Sequence, residues 1–189
     1  MDKLYVSANE LLDDSYRLAH QIHKSGFEPD YVVAVWRGGT PVGIAIQEYL
    51  GFVGIETDHC AMRTISYIGI GQRDNHVHVF GLEYLLERLS ADDKVLIVDD
   101  VFETGNSLVA IMQRLDEKLG KSMPQDIRLA TVYFKPERNE TSITPDYFVH
   151  ENDEWIVFPH EIDGLTRDEI YQNKPAVLKE LLEQIDETR

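Results

Sequence analysis

The stretch from Val95 to Ser107, VLIVDDVFETGNS, carries an apolar run into two adjacent acids and then into a polar turn. Asp99 and Asp100 repel each other, so they favour a partner that is cationic or rich in hydroxyl groups. Beyond them, Gly105 lets the backbone turn sharply, while Thr104, Asn106 and Ser107 offer hydroxyl and amide side chains. The periodic segment NSLVAIMQRL begins at once, and backbone N–H groups at a helix start, aided by the helix dipole, make a phosphate site. One segment therefore sets acceptors for sugar hydroxyls or a metal beside donors for a phosphate. That combination suits a ribose 5-phosphate. The same residues also describe an acidic strand end followed by a capped helix, an ordinary arrangement in an α/β protein.

Several elements must hold this segment in place. The continuous apolar runs YVVAVW (Tyr31 to Trp36), KVLIVDD and IRLATVYF read as strands covered on both faces, and a further strand is expected within GIETDHCAM. Between them lie helical patterns. SANELLDDSYRLAHQI opens with capping-box spacing at Ser7 and Glu10, carries a stripe of Leu11, Leu18 and Ile22, and stops at Gly26. PVGIAIQEYLG is expected to have Thr40 as its cap, Pro41 in its first turn and Gly51 as its stop. LEYLLERLS, NSLVAIMQRLDEKLG and the tail KPAVLKELLEQIDETR complete the set. The segment from Arg63 to Phe80 reads as a mobile loop or a ribbon, and residues 135–161 as an irregular stretch with two short extended pieces. Strands alternating with helices predict a mostly parallel central sheet with helices on both faces, where ligands bind beyond the carboxyl ends of the strands.

The length of 189 residues suits a single domain. A net charge of -16 argues against a nucleic-acid partner, which needs a basic face, but leaves room for an anionic small molecule in a locally positive pocket. Cys60 is the only cysteine, which fits a reducing compartment. No apolar run reaches the roughly 20 residues that a bilayer demands, and MDKLYVSANE does not read as a signal peptide, so a cytoplasmic protein without membrane contact is expected. His59, His76 and His78 could be taken for a zinc set, but no further ligand cluster accompanies them.

VLIVDDVFETGNS closely resembles the signature of the type I phosphoribosyltransferases: an apolar strand, two acids, two apolar residues, then acid-Thr-Gly-x-Ser/Thr. The resemblance implies that Asp99 and Asp100 hold the ribose hydroxyls of phosphoribosyl pyrophosphate, and that Thr104, Gly105, Asn106 and Ser107 cradle its 5-phosphate. VWRGGTPVG is similar to the family's pyrophosphate loop, with Gly38 and Gly39 allowing close backbone approach and Arg37 facing the leaving group. YFKPERN and NDEWIVFPHE resemble the bacterial xanthine-guanine and hypoxanthine phosphoribosyltransferases. By that likeness Lys135 contacts a purine 6-oxo group, Trp155 stacks on the base and Ile156 supplies a backbone contact.

Glu103 stands where these relatives usually carry Asp as a candidate general base, keeping the carboxylate but adding a methylene. The implied cofactor is Mg²⁺, held mainly by substrate oxygens with Asp99 and Asp100 assisting through water. The implied layout is one domain over residues 1–189, with a core of about 27–135, a hood of about 136–170 and a mobile lid of about 63–80. Orotate enzymes of the family place a lysine in that lid, whereas this one holds only Arg63 and Arg73. The expected activity is transfer of ribose 5-phosphate to hypoxanthine, guanine or xanthine by a homo-oligomer, dimer or tetramer. The alternative is a non-catalytic sensor of nucleotides or phosphoribosyl pyrophosphate on the same fold.

Overall fold

The computed structural model describes residues 3–66 and 77–187. In chain order these form β1 (Lys3–Tyr5), α1 (Ala8–Lys24), β2 (Tyr31–Trp36), α2 (Gly39–Phe52), β3 (Asp58–Ser66), β4 (Val77–Phe80) and α3 (Glu83–Leu86). Then come β5 (Lys94–Phe102), α4 (Asn106–Leu119), β6 (Asp126–Phe134), β7 (Tyr147–Glu151), β8 (Trp155–Val157), α5 (Arg167–Asn173) and α6 (Ala176–Glu187). The chain divides into two compact units, Leu12–Asp153 and the combination of Met1–Leu11 with Glu154–Arg189. The stretch read from sequence as a hood is thus shared: its residues to Asp153 cluster with the larger unit and the rest with the smaller.

The larger unit is built on a six-stranded sheet in the order β4-β3-β2-β5-β6-β7. All neighbours run parallel except the antiparallel pair of β3 and β4. Val95–Val98 of β5 are buried, as a central strand with cover on both faces requires. Helix α2 packs on β2 and β5, while α4 packs with α3, β3 and β4. Val33, Val35, Ile97, Ile111 and Leu115 belong to one core cluster that closes over the sheet. Because β2, β5 and β6 are parallel, their carboxyl ends share one edge of the sheet. There the Lys135 N–H donates to the Phe102 carbonyl at 2.9 Å.

Helix α2 starts earlier than its sequence suggests. Gly38, not Thr40, occupies the N-cap, and no side chain caps the helix. The cause is packing: a Cβ on Gly39 would lie 2.3 Å from the Val98 carbonyl oxygen, so the helix start sits directly on the β5 backbone. Thr40 falls inside the first turn, its buried hydroxyl without a hydrogen-bond partner among the described residues. The helix also runs past Gly51 to Phe52, and the chain turns at Gly54 with φ 90°. In the segment from Arg63 to Phe80 the described ends pair as an antiparallel ribbon, from Arg63 opposite Phe80 to Ser66 opposite Val77. Arg73 and His76 lie outside the described residues.

The smaller unit joins the first strand to a late one. β1 pairs in parallel with β8, placing Lys3 opposite Trp155, Leu4 opposite Ile156 and Tyr5 opposite Val157. Helix α5 begins with a full capping box between Thr166 and Glu169. The same Glu169 carboxylate accepts from Lys3 Nζ and from Tyr5 Oη at 3.1 Å. Arg167 and Asp186 tie α5 to α6 at 2.7 Å, and the buried Lys174 Nζ donates to the Phe158 carbonyl at 2.6 Å. Among the described residues no helix is long and apolar enough to cross a membrane.

Candidate active site

At the end of β5 the apolar run gives way to the two acids. Asp100 is only 7% exposed and Asp99 is half-buried. The Asp100 N–H donates to Asp99 Oδ1 at 3.0 Å. Withdrawal from water pushes the Asp99 carboxyl well above the ordinary carboxylate range. The adjacent Asp100 charge pushes it further, and N–H donors from Asp100 and Gly39 only partly offset both.

The turn after β2 covers this pair. Its Trp36–Arg37 peptide bond is cis, and Arg37 is exposed. A Cβ on Gly38 would stand 1.9 Å from Asp100 Oδ2, so only glycine fits over that carboxylate as it lies. Of the expected pyrophosphate-loop residues, then, both glycines touch the acidic strand end while Arg37 faces solvent.

From Asp100 the chain passes through Glu103 into the turn that opens α4. Gly105 sits at the N-cap with φ 80°, in the left-handed region that glycine enters without strain. The Asn106 N–H turns back to Thr104 Oγ1 at 3.3 Å. A hollow of about 110 Å³ lies here, lined by Asp99, Glu103, Thr104, Gly105 and Ser107 among others. Asp99 is the one of the two acids that lines it. Carboxylate acceptors on one side and the first N–H groups of a 14-residue helix on the other suit a ligand with hydroxyls at one end and an anion at the other.

Two further residues border this turn and were not singled out from the sequence. The Glu140 N–H donates to the Thr104 carbonyl at 3.1 Å, and Asn106 Nδ2 donates to Glu140 Oε2 at 2.8 Å. Thr141 packs so closely that a Cβ on Gly105 would lie 2.5 Å from its Oγ1. The one local signal was Asn139, whose side chain closes the bend by accepting from the Thr141 N–H and donating to the Ile143 carbonyl. Nothing in the spacing linked that bend to a turn 34 residues earlier.

Lys135 follows the last residue of β6 and is 6% exposed, its Nζ 3.4 Å from Glu103 Oε2. Eleven of the thirteen site positions expected from sequence, from Arg37 to Lys135, belong to the larger unit. Trp155 and Ile156 belong to the smaller. Trp155 is half exposed with Lys3 Nζ 5.0 Å from its ring centroid, and Ile156 is buried opposite Leu4.

Among the described residues no group of three or more His, Cys, Asp or Glu side chains could hold a metal by itself. The donor set at the end of β5 is instead a pair of hard carboxylates. It fits a Mg²⁺ ion that takes its remaining oxygens from a bound ligand or water.

A family model described as the phosphoribosyl transferase domain matches residues 5–163. Among solved structures, the chain is similar to a purine phosphoribosyltransferase from Pyrococcus horikoshii at 26% identity, with 88% of this chain and 98% of that one covered and a TM-score of 0.70. A Helicobacter pylori xanthine-guanine-hypoxanthine phosphoribosyltransferase matches at 23% identity, covering 86% and 96%, with a TM-score of 0.67. A Staphylococcus aureus hypoxanthine phosphoribosyltransferase matches at 21% identity, covering 89% and 85%, with a TM-score of 0.60. At those last two identities the likeness is one of fold. No curated protein sequence matches the chain.

Proposed function

The chain belongs to the phosphoribosyltransferase family and is an enzyme of that kind, and on that premise we propose that it transfers ribose 5-phosphate from phosphoribosyl pyrophosphate to a 6-oxopurine. Hypoxanthine, guanine and xanthine are the candidate bases. The observation that carries this reading is the junction of β5 with α4, where Asp99 and Asp100 run into the Gly105 turn and Asp99 shares one hollow with Glu103. Lys135 beside Glu103 supports the choice of base, because an ammonium donates to a 6-oxo group and has nothing to offer adenine's 6-amino group. The purine activity of the Pyrococcus horikoshii protein supports the same class.

In this reading Thr104, Gly105, Asn106 and Ser107 hold the 5-phosphate, and Asp99 and Asp100 accept from the ribose hydroxyls. The turn at Arg37, Gly38 and Gly39 receives the pyrophosphate, Arg37 supplying a forked donor. The bond from C1 to the pyrophosphate oxygen breaks, the electron pair leaves with pyrophosphate, and a purine nitrogen bonds to the cationic sugar carbon. The proton lost by that nitrogen passes to Glu103. A Mg²⁺ ion held by Asp99, Asp100 and substrate oxygens would supply charge neutralisation to the leaving group. Trp155 stacks on the base and Ile156 offers it backbone contacts. The lid expected over about 63–80 falls mostly on residues 67–76, which lie outside those described. A homo-oligomer in the cytoplasm completes the proposal.

The test is an assay of the purified protein with Mg²⁺, phosphoribosyl pyrophosphate and, in turn, adenine, hypoxanthine, guanine, xanthine and orotate. Pyrophosphate release with the 6-oxopurines alone is expected. Turnover only with adenine or orotate removes the role given to Lys135. Tight binding of phosphoribosyl pyrophosphate with no turnover on any base would make the protein a sensor.

A further inference from the structure

The cup at the start of α4 is closed by a bend that carries a carboxylate. Asn139 staples this bend: its Oδ1 accepts from both the N–H and the Oγ1 of Thr141 at 2.9 Å, and its Nδ2 donates to the Ile143 carbonyl at 2.8 Å. The bend is fastened to the cup through Glu140 N–H and the Thr104 carbonyl at 3.1 Å. Thr141 against Gly105 fixes the separation of the two. Glu140 Oε2 thereby comes to rest 2.8 Å from Nδ2 of Asn106, the first residue of α4. Among the described residues no ion pair balances Glu140. A phosphate seated on the first N–H groups of α4 would bring its two negative charges beside this carboxylate, and would compete with it for the Asn106 amide.

Resting on the phosphate-cup reading above, we propose that Glu140 is a specificity-determining residue that holds down the affinity of the cup for terminal phosphates. The bend places its like charge at the lip, so a phosphorylated sugar binds against repulsion. The nucleotide product carries the same 5-phosphate as the substrate, so weakened grip on that group speeds product release as well as loosening substrate. Asn106 is the hinge of the effect, since its amide is engaged by Glu140 until a phosphate arrives.

The test uses the whole chain, with ribose 5-phosphate as calorimetric probe, and compares wild type with Glu140→Gln. Glutamine keeps an acceptor for Asn106 and leaves the bend intact, so the change is one of charge. At 0.02 M salt the variant is expected to bind about tenfold more tightly, and at 0.5 M salt the gap should close to about twofold, because screening removes repulsion between exposed charges. Inhibition by the nucleotide product should tighten in parallel. Equal or weaker binding by the variant overturns the proposal, as does a gain of the same size at both salt concentrations. If neither folded protein binds ribose 5-phosphate, the cup itself has been misread, a failure distinct from that of Glu140.

Discussion

Lys135 Nζ stands 3.4 Å from Glu103 Oε2, so the ends of β5 and β6 face each other with opposite charges. The lysine side chain is 8% exposed and the glutamate side chain 48%, so the cation is fixed while its partner remains open to a ligand. A base entering between them meets a donor on one side and a proton acceptor on the other. Two variants separate these roles. Glu103→Gln should lower kcat by about 10²–10⁴-fold, the usual worth of a general base, with little change in the KM for the base. Lys135→Met should instead raise that KM by about 10–100-fold, the cost of a lost hydrogen bond to a charged group. Steady-state kinetics showing the two effects interchanged would reverse the assignments.

Asp99 should make the ligand-free protein less stable than it could be. Its carboxyl is pushed above the ordinary value of 3.8, first by burial and then by Asp100, so the folded state binds the proton more tightly than the unfolded chain. Stability from this group therefore falls as pH rises from about 4 through the raised value. Thermal melts of Asp99→Asn should show a higher Tm than wild type at pH 8, a gap that closes toward pH 4, and loss of ribose 5-phosphate binding.

Glu169 works in the opposite sense. The hydrogen bond from Lys3, with those from Thr166, holds its carboxyl down at about 2, against an ordinary 4.5. Its contribution is present in full above pH 4.5 and disappears as pH falls through about 2. Glu169→Gln should therefore lower Tm at pH 7, with the difference shrinking on acidification and in high salt. A gap that is constant with pH would show that the carboxylate's charge contributes nothing.

Gly39 is expected to admit no side chain. The atoms that a Cβ would meet are backbone, Val98 O at 2.3 Å and Asp99 Cα at 2.9 Å, and backbone cannot rotate away. Gly39→Ala should cost about 1–3 kcal/mol in chemical denaturation. It should also raise the KM for phosphoribosyl pyrophosphate more than that for the base. Gly51→Ala, which meets nothing within 4 Å, is the matched control.

The junction of β5 with α4 was legible because its causes are local: an apolar run, two acids, and a glycine where the chain needs a positive φ. The parallel order of the sheet followed from the same kind of evidence. Where the helix α2 begins was not legible, since Thr40 and Pro41 make an acceptable helix start and only the contact of Gly39 with β5 moves it. β1 is three residues long, too short for any periodicity, and is defined by a partner about 150 residues away. α5 had a readable signal in Thr166 and Glu169, whose spacing is that of a capping box. Glu140 was hidden for a different reason: its partner is chosen by the fold, and its neighbours in sequence say only that the chain bends there.

The pairing of β1 with β8 has a consequence for how the polypeptide acquires its shape. On the ribosome, Lys3, Leu4 and Tyr5 emerge well before their strand partners, since Trp155, Ile156 and Val157 are made only after the whole segment Leu12–Asp153 has been synthesised. That uninterrupted segment is free to collapse on contacts already available to it, leaving the leading strand to wait as an unpaired edge. Closure of this long-range pair should thus be a late event, and a fluorophore-quencher pair at the two strands would report it as a phase slower than the burial of Val95–Val98.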